Sequence, residues 1–144
     1  MFIILPATIK DLNELRNLEK ICFPVDQWPL LDLIAVLTLP GIIKLKADYQ
    51  GEFVGFIAGS YKRRQSTGWI TTLAVFPEYQ NKGIAQDLLR ECERLMQVKK
   101  IHLTVRVGNI KAIHLYEKNG YFRKDVWESY YVDGEDAILL QKLS

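Results

Sequence analysis

The chain has 144 residues, 49% of them hydrophobic, which is enough for one compact domain with a proper core. Its 19 basic and 17 acidic residues leave a formal charge of +2, too near balance for a broad nucleic-acid surface. Cys22 and Cys92 lie far apart, with no Cys-x-x-Cys spacing and no nearby histidine cluster, so metal binding is not expected, and no apolar run approaches the roughly 20 residues of a membrane helix.

Phe2 to Leu5 reads as a short apolar strand running directly into Pro6, without the basic leader and long apolar core of a signal peptide; a reducing cytoplasm is the expected compartment. Thr8 or Asp11 can cap a first helix whose core face carries Leu12, Leu15, Leu18 and Ile21, and Pro24 stops it. A second helix is expected from Pro29 through Leu39, ended by Pro40-Gly41. Ile43 to Tyr49, a Gln50-Gly51 turn, Phe53 to Lys62, a polar turn through Thr67, and Trp69 to Val75 read together as a three-strand antiparallel meander. The basic run Lys62-Arg63-Arg64 reads as a solvated turn.

From Gly83 to Val98 the spacing of Ile84, Leu88, Leu89, Cys92, Leu95 and Met96 predicts an amphipathic helix with its apolar stripe in the core. Ile101 to Val107 is β-rich, a helix follows from Asn109 to a stop at Asn119-Gly120, and the strands Tyr121 to Tyr130 and Ala137 to Lys142 close an alternating α/β order. His102 and His114 show no partner pattern and are read as packing or surface residues.

The segment Leu73-Ala74-Val75-Phe76-Pro77-Glu78-Tyr79-Gln80-Asn81-Lys82-Gly83-Ile84-Ala85 joins a strand to the long helix through a turn holding one glycine. Gly83 can take a backbone conformation closed to other residues, and the helix beyond it offers unpaired N–H groups and the positive end of its dipole. A pyrophosphate fits such a cradle. The P-loop and the Gly-x-Gly-x-x-Gly dinucleotide fingerprint are both absent. In the later helix Asn109 is a natural start, and Ala112 and Tyr116 share one face.

These residues resemble the GNAT superfamily of acyl-CoA-dependent N-acetyltransferases over nearly the whole chain. The family's signature Gln or Arg-x-x-Gly-x-Gly or Ala is matched by Gln80, Gly83 and Ala85. Its second signature is matched by Asn109, Ala112, Tyr116, Gly120 and Tyr121. Within the superfamily the chain is most similar to the RimI-like, ribosomal-protein-alanine N-alpha-acetyltransferases. Three stretches carry that likeness: Cys22-Phe23-Pro24 with Trp28, Val105-Arg106-Val107-Gly108-Asn109, and Tyr130-Tyr131-Val132-Asp133-Gly134-Glu135-Asp136-Ala137.

The resemblance implies a mixed, mostly antiparallel sheet of six to seven strands with four helices, splayed at strands 4 and 5. It implies acetyl-CoA as co-substrate, no metal, and a single domain over residues 1–144, acting as a monomer or homodimer. Leu73, Ala74 and Val75 then contact the pantetheine arm, and Asn81, Lys82, Gly83, Ile84, Ala85 and Gln86 wrap the pyrophosphate. Asn109 reaches the pantetheine amides, and Tyr116 is the general acid at the thioester sulfur. Phe23, Trp28, Tyr130 and Tyr131 line a groove for a protein or peptide N-terminus. Where the RimI-like branch has its glutamate base, this chain has Thr104, which cannot take a proton at neutral pH; a water relay or Glu78 stands as replacement. A weak base favours an α-amine, with a pKa of about 7.7–8.0, over lysine near 10.4. A small-molecule amine as acceptor, such as a polyamine or amino acid, and a non-catalytic acyl-CoA-binding domain are the competing readings.

Overall fold

The computed structural model describes residues 1–144, the whole chain. It holds seven strands in the order β1-β2-β3-β4-β5-β7-β6, together with four α-helices. Residues Met1–Ser60 and Thr71–Met96 form one compact unit, and Tyr61–Ile70 with Gln97–Ser144 form a second.

In the first unit β1 (Phe2–Pro6), β2 (Ile42–Tyr49) and most of β3 (Glu52–Lys62) form an antiparallel run. Helices α1 (Leu12–Cys22) and α2 (Leu30–Thr38) lay Leu15, Leu18, Leu33, Val36 and Leu37 into one core with Phe56, Ala58 and Ala74. Each fully buried leucine of this kind contributes about 1.5–3 kcal/mol. Thr8 and Asp11 both act as caps: Thr8 N–H donates to Asp11 Oδ2 at 2.8 Å, and Thr8 Oγ1 accepts from Lys10 N–H at 3.3 Å. They cap the short 3-10 turn Ile9–Asp11 that leads into α1. Asp11 is also paired with Lys46 Nζ on β2 at 2.8 Å.

The expected core face of α1 needs one correction. Ile21 is 47% exposed, whereas Glu19 is only 3% exposed. The buried positions 15, 18 and 19, with half-buried Cys22, follow the i, i+3, i+4, i+7 stripe of a helix, and that geometry places Glu19 inward and turns Ile21 out.

Helix α3 (Ile84–Met96) buries Ile84, Leu88, Leu89, Cys92 and Met96. It stops two residues short of the expected Val98, because Gln97 takes a left-handed conformation at φ 52°, a common device for ending a helix.

In the second unit β5 (Lys100–Arg106) pairs antiparallel with β7 (Ala137–Leu143), which pairs with β6 (Phe122–Trp127). The first residues of β4 (Thr67–Val75) run parallel to β5, with Thr67, Gly68 and Trp69 opposite Lys100, Ile101 and His102. The ladder goes no further, although β4 continues to Val75. This is the splay at strands 4 and 5, and the mixed seven-stranded sheet with four helices is the architecture expected.

β6 ends at Trp127 rather than Tyr130. Ser129, at φ 49°, donates its N–H to Asp136 Oδ1 at 2.8 Å and turns the chain out of the sheet. Tyr130 and Tyr131 therefore belong to the β6–β7 connection.

Candidate active site

In the first unit, β4 ends where Val75 offers its carbonyl to two side chains: Gln80 Nε2 at 3.0 Å and Cys22 Sγ at 3.5 Å. The motif glutamine thus fastens the turn to the strand before it. Asn81 and Gly83 both have positive φ, 64° and 83°. For Gly83 space is not the reason, since a Cβ there would meet nothing within 4 Å. The reason is φ: a residue with a side chain would carry a penalty of about 1–2 kcal/mol in this conformation.

Gly83 O accepts the N–H of Asp87 at 3.1 Å, so Ile84 and Ala85 lie in the first turn of α3, where the main-chain N–H groups precede the first helical hydrogen bond. Lys82 is exposed beside them. A helix N-terminus and a neighbouring lysine supply the positive potential that a negatively charged phosphate group requires.

Phe23 and Trp28 lie in the connection from α1 to α2, half-buried and packed against the first unit's core. Glu78, the carboxylate proposed from sequence as a substitute base, is exposed. The nearby carboxylate that differs is Glu19. Burial pushes its carboxyl up to about 7, with Asp26 adding to the effect and a hydrogen bond from the Trp28 backbone opposing it. Sequence reasoning missed Glu19, and the only signal for it was its place in the helical stripe. Cys22 is raised as well, by burial first and then by the charges of Glu19 and Glu78.

In the second unit, Asn109 caps α4 (Ile110–Lys118), its Oδ1 accepting from Ala112 N–H at 3.2 Å. Tyr116 on α4 is 8% exposed, and its ring meets Tyr121 edge-on at 5.6 Å. Burial, and next the neighbouring Tyr131, raise its phenol above the ordinary value, so it stays protonated throughout the neutral range.

Tyr130 is 52% exposed, and Tyr131 lies under the Arg106 guanidinium at 4.2 Å. Arg106 Nη1 also donates to both carboxylate oxygens of Asp133 at 2.9 Å and to Glu135 Oε1 at 2.8 Å. Glu135 Oε2 in turn accepts from Gly108 N–H at 2.9 Å. This latch ties the β6–β7 connection to the end of β5. Arg106, Asp133, Glu135 and Gly108 were visible in the sequence only as part of a likeness, without a role.

Thr104 sits on β5 opposite Leu139. His102 stacks on Trp69 at 5.0 Å and lies 2.8 Å from Gln141 Nε2. Its pKa is lowered by burial and then by Lys100, in keeping with a packing role. His114 is exposed, and Arg63 of the basic run lies over the Tyr61 ring at 4.8 Å. No three His, Cys, Asp or Glu side chains converge as metal ligands do.

A strand-to-helix turn with Gly83 in left-handed backbone, a seven-stranded sheet splayed at β4 and β5, and an asparagine-capped helix carrying a buried tyrosine are the features expected of an acetyltransferase of the GNAT type. The chain belongs to this family: the model described as "Acetyltransferase (GNAT) family" matches residues 12–121.

Its relatives narrow the class. It is 31% identical to the N-terminal acetyltransferase A complex catalytic subunit NAA10 of Arabidopsis thaliana, over 99% of this chain and 78% of that protein. It is 30% identical to the N-alpha-acetyltransferase of Saccharolobus solfataricus, over 98% of this chain and 92% of that one. Its fold matches the ribosomal-protein-S18-alanine N-acetyltransferase of Escherichia coli with a TM-score of 0.89 at 23% identity, over 99% of this chain and 94% of that one.

Proposed function

We propose that this protein transfers the acetyl group of acetyl-CoA to the α-amine of a protein or peptide N-terminus, as a single acetyltransferase domain. The observation that carries the reading is its similarity, along almost its whole length, to two enzymes of α-amine acetylation. Acetyl-CoA supplies an activated acyl carbonyl and a thiolate leaving group. The first turn of α3 after Gly83, with Asn81 and Lys82, holds its pyrophosphate, while Leu73 to Val75 run along its pantetheine arm. Asn109, besides capping α4, contacts the pantetheine amides.

Tyr116 keeps its proton through the neutral range and delivers it to the departing sulfur. No side chain on β5 takes the branch glutamate's part, because Thr104 cannot accept a proton; the proton the amine releases on forming the amide passes to water or to Glu78. An α-amine tolerates that loss: about a tenth to a third of it is uncharged near neutral pH, against on the order of one lysine in a thousand. Phe23, Trp28, Tyr130 and Tyr131 are the acceptor-facing residues. The same proposal has the protein in the cytoplasm, as a monomer or homodimer, with no nucleic-acid or membrane partner.

The test is a peptide with a free N-terminus and an internal lysine, incubated with acetyl-CoA and sequenced by mass spectrometry. Acetyl on the α-amine alone is the expected result, and acetyl on the lysine alone would refute it.

A further inference from the structure

Glu19 is a carboxylate in a place where core packing calls for leucine. It is 3% exposed, and its Oε1 has no hydrogen-bond partner. A buried acceptor left unsatisfied is destabilising, so packing does not explain why it is there. What it does hold is the connection from α1 to α2. Its main-chain carbonyl accepts Phe23 N–H at 2.8 Å, at the start of that connection. Its side chain accepts the backbone N–H of Trp28, at the far end. One residue thus brackets the segment, and both aromatic rings, Phe23 and Trp28, rest on the same core as Leu15 and Leu18.

We propose that Glu19 is a positioning residue for acceptor recognition, fixing the 23–28 loop through the Trp28 backbone and so setting the Phe23 and Trp28 rings for the incoming N-terminus. This rests on the N-terminal acetyltransferase reading and names a residue that serves it. A carboxyl oxygen accepts a backbone N–H whether or not the group is ionised, which is a physical reason for glutamate at a position that is otherwise apolar.

Two variants separate this role from others. Glu19→Met fills the same space in the core and cannot accept a hydrogen bond, whereas Glu19→Gln keeps an acceptor oxygen and loses the charge. Amide hydrogen exchange at Trp28, read on the protein alone, accelerates about tenfold in Glu19→Met and returns toward wild type in Glu19→Gln, given the worth of a hydrogen bond. Peptide KM rises in parallel, about tenfold in Glu19→Met, while kcat stays within a factor of about two.

Unchanged Trp28 exchange in Glu19→Met overturns the proposal. So does an equal fall of kcat in both variants, which is the signature of a residue that takes a proton from the amine. A wild-type enzyme that turns over only small amines refutes the N-terminal reading instead, and the exchange data still report whether Glu19 holds the loop.

Discussion

Tyr116 and Glu19 illustrate what burial does to two ionisable side chains. The phenol of Tyr116 is held protonated by desolvation, the state a general acid needs. Tyr116→Phe removes that proton and little volume, so kcat falls by a factor on the order of 10²–10⁴ while acetyl-CoA affinity is unchanged, read by steady-state kinetics and by calorimetric binding. Equal loss of both would make the ring a packing element. For Glu19 the carboxyl's ordinary value of 4.5 rises to about 7, so the folded protein binds this proton more tightly than the unfolded chain. Its contribution to stability is complete below the ordinary value and is lost as pH rises through about 7. Melting curves across that window should show the wild type losing several degrees relative to Glu19→Gln; a Tm difference constant with pH contradicts this. At this scale Gly83, Asn109 and Tyr116 were legible because each sits in a local pattern: a turn, a cap, a shared helix face. Glu19 was not, since a carboxylate within an apolar stripe goes against the rule that made the stripe readable.

At the scale of elements, helices and strands announced themselves through periodicity, and their errors fell at the ends. α3 stops at Met96 and β6 at Trp127 because single residues, Gln97 and Ser129, adopt left-handed backbone, which no periodicity encodes. The latch on the β6–β7 connection was illegible for another reason. Arg106 and Asp133 are 27 residues apart, and nothing local to either says that they meet. Gly108 shows what the latch demands of its surroundings, for a Cβ there would lie 2.7 Å from Glu135 Oε2. Gly108→Ala therefore displaces the Glu135 carboxylate from the Gly108 N–H and loosens Tyr130 and Tyr131 with it. The expected result is a peptide KM raised about tenfold with acetyl-CoA affinity preserved, the loss of one charged hydrogen bond. An unchanged peptide KM would separate the latch from acceptor binding.

For the whole molecule, the feature that matters most to the proposed function is the splay of β4 from β5. A parallel ladder confined to Thr67–Trp69 and Lys100–His102 leaves the rest of β4, through Val75, without a parallel partner. That feature came from resemblance, because strand periodicity is the same whether neighbouring strands stay paired or diverge. The acceptor is the claim on which the rest depends, and CoA release by the purified protein tests it most directly, corrected for acetyl-CoA hydrolysis. A pool of short peptides with different free N-termini is set beside a pool of small amines. Turnover confined to a subset of the peptides is the predicted result. Turnover with the small amines alone, or tight acetyl-CoA binding with no turnover in either pool, would contradict it.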